Sequence, residues 1–352
     1  MAKRSSTILV ALPLITAAFS SAFAQPRVVA TIPPIHSLTA LVMEGVGSPA
    51  LLLTGSGSPH SYALKPSQSS ALAEADIVIR IDESLELFMK KPLRALAGRA
   101  TVLDLMKVPG VMRLKWQGDH DDHKGHQDHA SGHKDDDHKG HQDHAGDHKD
   151  DGHKGHQDHA GDHKDDDHKG HGHHDHGGDH DLHIWLHTGN AAAFVKAIAG
   201  ILSEKDPKNG ALYARNASRA LVRLRALKGE LDIIVRPVRT RPFMTFHDAW
   251  QYFNTEFGMK YVGALTLNPE KKPGPRRIMK TRSSIRKNGA RCLFAEPQFP
   301  AALAEVAVRG TPAKIAVIDP VGANLSPGLG LYFQLMRQTA RTMASCLGGS
   351  GS

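Results

Sequence analysis

Two stretches of this chain alternate short apolar, β-branched runs with segments whose apolar positions recur every three to four residues. In the first, RVVATI at 27–32 precedes a helical pattern near 35–45, then LLL at 51–53 and a helix near 67–75. IVIRI at 77–81, a helix near 84–97 and TVLDL complete it. From residue 242 the alternation returns as PFMTF, a helix, MKYVGAL, a helix near 275–288, RCLFA, a helix, KIAVI and a last helix near 329–346. Strands alternating with helices make βαβ units, whose strands run parallel under a cover of helices. The pattern predicts an α/β fold of two lobes, each with a mainly parallel sheet flanked by helices.

Between the two stretches, Leu221, Leu224, Leu227 or Lys228, Leu231 and Ile234 recur at helical spacing, with Arg215, Arg219, Arg223 and Arg225 on other faces. Residues 206–238 read as one long rigid helix. It joins an N-terminal lobe at 25–205 to a C-terminal lobe at 239–348, and 349–352 is a flexible tail. Ligands of open α/β sheets bind beyond the carboxyl ends of the strands, so the interlobe cleft is the expected site.

The first lobe is interrupted at 119–181 by a segment with almost no apolar residue. The unit HKGHQDHAGDHKDDD starts at His123, recurs with small changes at His138 and His153, and begins again at His168. Nineteen of the 24 histidines fall here. Charge, glycine and the lack of apolar side chains predict disorder, because nothing offsets the entropy of ordering. Neutral imidazoles among aspartates make many weak, overlapping metal sites. The insert therefore reads as a metal collector or sensor beside a tight site, with a tolerated low-complexity expansion as the alternative.

The beginning of the chain sets the compartment. Lys3 and Arg4, an apolar run and Ala22-Phe23-Ala24 form a secretory signal at 1–24, with cleavage expected after Ala24. The run is too short, and too interrupted by Ser20 and Ser21, for a membrane anchor. Cys292 and Cys346 are the two cysteines of the chain, and export favours their pairing as a disulfide. The net charge of +8 conceals a segregation, since the segment 119–181 holds nineteen aspartates against seven lysines. The remainder is strongly basic. Export removes nucleic acid as a partner, which leaves an anionic protein or membrane surface, or simply a solvated basic face.

Five histidines lie outside the insert: His36, His60, His183, His187 and His247. His60 follows the LLL strand in GSGSPHSYALKPSQ, His183 lies in DLHIWL, and His247 ends the strand PFMTF. Asp319 ends the strand KIAVI in DPVG, at an equivalent position of the second lobe. Three imidazoles with a carboxylate or water make a tetrahedral zinc site. His36 reads as an auxiliary ligand or a helix-start residue, and His187 as peripheral. Glu296 follows a strand and reads as a support or hinge residue. Trp185 and Trp250 read as core.

GSGSPHSYALKPSQ, DLHIWL, MTFHDAWQYF, CLFAEPQFP and IDPVGANL, in this order, resemble the zinc-specific solute-binding proteins of bacterial ABC importers, within the cluster of metal-binding receptors. The resemblance covers nearly all of the mature chain. It implies a periplasmic monomer, not an enzyme, that binds Zn2+ as transported ligand. The implied partners are an ABC permease and its cytoplasmic ATPase, with membrane contact only through the permease. In that family the positions of His60, His183 and His247 bind zinc, and the pair matching Cys292 and Cys346 forms a disulfide where present. Some relatives carry glutamate just before the first histidine; here that residue is Pro59. The fourth ligand is then Asp319, a carboxylate ligand in many members of the wider family, or water. A third histidine favours zinc over manganese, although nitrogen ligands also accept copper, nickel and cobalt. Two other classes fit less well: a zinc buffer or surface metal scavenger without a permease, and a zinc metallohydrolase, for which no HExxH motif is present.

Overall fold

In the first lobe Val28–Ala30 (β1), Ala50–Leu51 (β2), Ile77–Arg80 (β3) and Thr101–Asp104 (β4) form one sheet in the order β2-β1-β3-β4, every pair parallel. β1 and β3 are buried at every residue, as central strands covered on both faces must be. Helices Pro33–Met43 (α1), Pro66–Ala73 (α2) and Lys90–Leu96 (α3) connect them. The structure is a computed structural model and describes residues 25–55, 57–116, 179–267 and 272–349. The signal segment and most of the histidine-rich insert lie outside the described residues.

The second lobe repeats the scheme. Phe243–His247 (β5), Tyr261–Thr266 (β6), Cys292–Ala295 (β7) and Lys314–Val317 (β8) pair in parallel in the order β6-β5-β7-β8. Gln251–Phe257 (α4), Pro275–Asn288 (α5) and Ala301–Val308 (α6) are its connecting helices. Helix α5 ends on Gly289, whose φ of 62° places it in the left-handed region that glycine tolerates best.

The apolar run LLL gives only a two-residue strand. Leu52 and Leu53 still donate to Ala30 O at 3.1 Å and Thr31 O at 2.9 Å, then the chain leaves the sheet. Beside this exit Thr31 Oγ1 bonds the fully buried Glu86, which also accepts from Ile81 N at 3.0 Å and Asp82 N at 3.1 Å. Burial pushes the Glu86 carboxyl up to about 7, although these donors act in the other direction.

Two further helices cross between the lobes. Thr188–Lys205 (α7) is followed by Gly210–Val235 (α8), a helix of 26 residues. At 1.5 Å per residue α8 is about 39 Å long. Its buried stripe is Tyr213, Ala217, Ala220, Leu224, Leu227, Leu231 and Val235. Leu221 and Ile234 of the predicted stripe are only partly buried, because the face turned inward is one position away from them. Single 3-10 turns at Pro207–Asn209 and Arg236–Val238 flank the helix. At its start Asn216 donates to Val42 O and Glu44 O; near its end Glu230 accepts from Arg337 at 2.8 Å.

Arg337 belongs to the last helix, Leu331–Gly348 (α9), which packs along α8 and α1. One continuous apolar core runs from Val28 in β1 to Leu347 in α9. The lobes are therefore two sheets sharing one core. The end of α9 is also tied covalently, since Cys346 pairs with Cys292 at the start of β7.

The sequence separation of 54 residues sets the size of this tie. Closing such a loop removes about 4 kcal/mol of denatured-state entropy. Replacing the half-buried Cys346 by serine should therefore lower the midpoint of thermal unfolding by on the order of 10 °C. Reductant should produce the same shift in the wild-type chain and none in Cys346→Ser. A melting point indifferent to reductant in the wild type would show that the tie contributes nothing.

Candidate metal centre

The three histidines singled out from the sequence converge. His60 comes from the loop after β2, His183 from the one-turn segment before α7, and His247 from the last residue of β5. His60 Nε2 stands 3.3 Å from His183 Nε2, and His247 Nε2 stands 3.2 Å from the same atom. One ligand atom from each of the three lies within 4.8 Å of the others. His183 and His247 are 2% exposed, whereas His60 is only half-buried.

The tautomers follow from the outer partners. His183 Nδ1 is 2.7 Å from Asp181 Oδ1, and His247 Nδ1 is 2.9 Å from both oxygens of Glu296. A carboxylate only accepts, so both Nδ1 atoms carry the proton. A neutral ring in this tautomer presents its lone pair at Nε2, and the two Nε2 atoms face each other across 3.2 Å. A proton shared between them or a metal ion bound by both satisfies that contact. For bonds of about 2.05 Å in a tetrahedron, neighbouring nitrogens lie roughly 3.3 Å apart, so the spacing suits zinc. Carboxylate–imidazole pairs of this kind also raise ligand basicity.

Electrostatics agree with the geometry. Burial lowers the proton affinity of His247, but the charge and hydrogen bond of Glu296, with Asp248 and Asp181 behind, outweigh it and leave the pKa raised. Trp185, Phe299, Pro320 and Val321 line the rest of a cavity of about 10 Å³. It has room for one small group beside the three rings.

The His60 loop is held at its far end. Tyr62 OH accepts from Gln68 Nε2 at 3.0 Å, while Gln68 Oε1 accepts from Lys65 N at 2.8 Å and caps α2. The other lobe is stitched to the neighbours of His183. Trp185 Nε1 donates to Pro320 O at 2.7 Å, Tyr332 OH donates to Trp185 O at 2.9 Å, and Tyr252 OH donates to Asp181 O at 2.8 Å.

Asp319 is not brought into the group. Its Oδ1 accepts from Gln298 Nε2 at 2.8 Å and Val321 N at 3.0 Å, and its Oδ2 accepts from Ala323 N at 2.6 Å. Both oxygens are committed to the turn after β8, which explains why this strand-end carboxylate stands apart from the imidazoles. His36 lies inside α1 and donates through Nε2 to Pro49 O at 3.0 Å. His187 caps α7 by accepting from Asn190 N at 3.2 Å. Trp185 and Trp250 are fully buried.

Composition places Asp181 in the insert 119–181, but the structure places it beside the metal centre. It is fully buried, and residues 179–181 are ordered against 114–116. Trp116 N donates to Asp179 O at 2.8 Å, and Asp181 N donates to Leu114 O at 2.9 Å. The available signal was the spacing Asp181-Leu182-His183, which lets one carboxylate oxygen accept both His183 N and its ring nitrogen.

Glu296→Gln keeps an acceptor for His247 Nδ1–H but removes the charge. Zinc affinity should fall by about 10- to 100-fold. Because Glu296 raises the proton affinity of His247, its loss should also move the acid limb of zinc binding to lower pH. Competition with a chromophoric chelator between about pH 5.5 and 8 reads both effects. An unchanged affinity and an unmoved acid limb would remove Glu296 from this role.

Comparison with known proteins places this arrangement in a lineage. Residues 28–346 match the family model described as ZnuA, zinc-uptake complex component A periplasmic. The chain is 43% identical over 320 residues to the high-affinity zinc uptake system protein ZnuA of Brucella abortus, covering 91% of each. It is 38% identical over 346 residues to the protein of that name from Paracoccus denitrificans, covering 98% of this chain and 99% of the other. A crystal structure of ZnuA shares the fold with a TM-score of 0.67 at 20% identity, over 92% of this chain and 99% of that one. The chain belongs to the ZnuA family of periplasmic zinc-uptake components.

Proposed function

We propose that this chain is the zinc receptor of an ABC importer, capturing Zn2+ in the periplasm and handing it to a membrane permease driven by a cytoplasmic ATPase. The observation that carries the reading is the pair of buried Nε2 atoms at 3.2 Å, with His60 Nε2 beside them. Similarity to proteins named for high-affinity zinc uptake supports the same conclusion. On this reading residues 1–24 are removed after Ala24 and the mature receptor works as a monomer.

His183 and His247 are set in advance by Asp181 and Glu296, so they form the fixed half of the site. His60 is the half-buried member on a loop, and it completes capture last and opens first on release. The two carboxylates that touch the imidazoles, Asp181 and Glu296, each accept an Nδ1–H. Neither is left to act as general base on a metal-bound water, which favours a receptor over a hydrolase. Adjacent permease and ATPase genes would favour an importer over a free zinc buffer. The insert serves as the auxiliary collector.

Alanine at His60, His183 or His247 should each weaken the tight zinc site by orders of magnitude while preserving the fold. Calorimetric titration checks this, and a variant with unchanged affinity would drop from the ligand set.

Deleting residues 117–178 should leave one tight zinc site and abolish several weaker ones, since clustered imidazoles impose little geometry. These limits retain Asp179–Asp181, on which His183 depends. The weaker sites should fade first below about pH 6.5, where free imidazole is protonated. A shortened chain that keeps the full stoichiometry would show that the insert is an expanded loop without a metal role.

A further inference from the structure

Gln298 lines the same small cavity as His60, His183 and His247. Its Nε2 lies 2.8 Å from Asp319 Oδ1. Because a carboxylate can only accept, the atom turned towards Asp319 must be the amide nitrogen, and the orientation of the amide is fixed by chemistry. Asp319 cannot swing to follow it, being held by Val321 N and Ala323 N. The remaining polar atom, Gln298 Oε1, is buried and has no hydrogen-bond partner among the described residues.

A buried acceptor without a donor is unfavourable, so it marks a place where a donor arrives. The three imidazoles leave one position of a four-coordinate zinc open. A zinc-bound water is acidified and becomes a strong donor. An amide oxygen is a good acceptor for it, and amide oxygens are not among the usual protein ligands of zinc. Resting on the reading of the three histidines as the zinc site, we propose that Gln298 Oε1 receives the hydrogen bond of the water in zinc's fourth position. Asp319 is then the positioning residue of Gln298 and not a ligand.

The arrangement has a consequence for transport. A carboxylate in the fourth position would add charge and retain the ion, whereas a water held by a neutral amide can exchange. A ligand that can exchange without movement of the protein is thus provided for. Ions that require carboxylate oxygen gain nothing from Gln298, which turns the site further towards zinc.

The test uses the full mature chain with up to one equivalent of metal, so that the tight site is read alone. Zinc affinity is measured by chelator competition, and site geometry by the d–d absorption of Co2+. Gln298→Leu should weaken zinc by about 10- to 100-fold and shift the cobalt bands. Asp319→Ala should weaken it less, and should add nothing in the Q298L background. Unchanged affinity and spectrum in Q298L would overturn the proposal. So would a loss in Asp319→Ala that exceeds that of Q298L and persists in its background, since Asp319 would then be a ligand itself. Metal-free melting curves confirm folding, and Gln298→Met, of matching length, replaces Q298L if that variant does not fold. His183→Ala is the control for the site: a cobalt spectrum that survives it would break the three-histidine reading, independently of Gln298.

Discussion

Two buried imidazoles pointed at each other by two buried carboxylates are the constraint around which this molecule is arranged. Asp181 and Glu296 each take an Nδ1–H, which leaves the two Nε2 atoms facing each other at 3.2 Å. Burying two carboxylates is unfavourable unless positive charge is near. A dication bound by neutral imidazoles balances both charges at once. The same pairs that crowd negative charge behind the rings therefore favour a dication in front of them. Affinity for a divalent ion follows from that balance more than from the count of ligands.

The rest of the fold keeps those rings from moving apart. His183 belongs to the first lobe, yet its neighbours Asp181 and Trp185 are bonded to Tyr252, Pro320 and Tyr332 of the second. Thr188, at the start of α7, donates to Glu256 across the same junction. With α8 packed between α1, α7 and α9, a wide hinge would break a shared core. Opening by rotation of whole lobes is disfavoured. The loop that carries His60 lies beyond the end of β2, outside both sheets.

The architecture was legible because parallel strands covered on both faces leave continuous apolar runs, and IVIRI and PFMTF are such runs. His60 and His247 were legible because they follow strands, and strand ends face the cleft. The same rule picks out Asp319, at a strand end of the second lobe. Strand-end placement shows where a carboxylate starts but not what its oxygens meet, and here Val321 N, Ala323 N and Gln298 claim them. Asp181 was hidden by its surroundings, as the last of nineteen aspartates in a stretch dominated by repeats. Composition assigned it to the insert, although its backbone pairs with Leu114 and its side chain holds a ring. Glu296 was read as a support from its position, and its contact with His247 gives that support a physical form.

The spacing of the nitrogens also bears on which metal the site suits. Three nitrogen donors satisfy copper and nickel as readily as zinc, and by intrinsic affinity copper would win. Donor type alone cannot discriminate. In a square-planar ion with bonds near 2.0 Å, adjacent donors sit about 2.8 Å apart, the arrangement that Cu2+ and Ni2+ favour. Tetrahedral neighbours at zinc sit roughly 3.3 Å apart. The observed separations are 3.3 and 3.2 Å, and the rings of His183 and His247 are each held from behind, by Asp181 and Glu296. The outer carboxylates thus impose tetrahedral spacing on the inner nitrogens. The Nδ1 contacts, on the far side of each ring from the cluster, are what set the spacing of the Nε2 atoms.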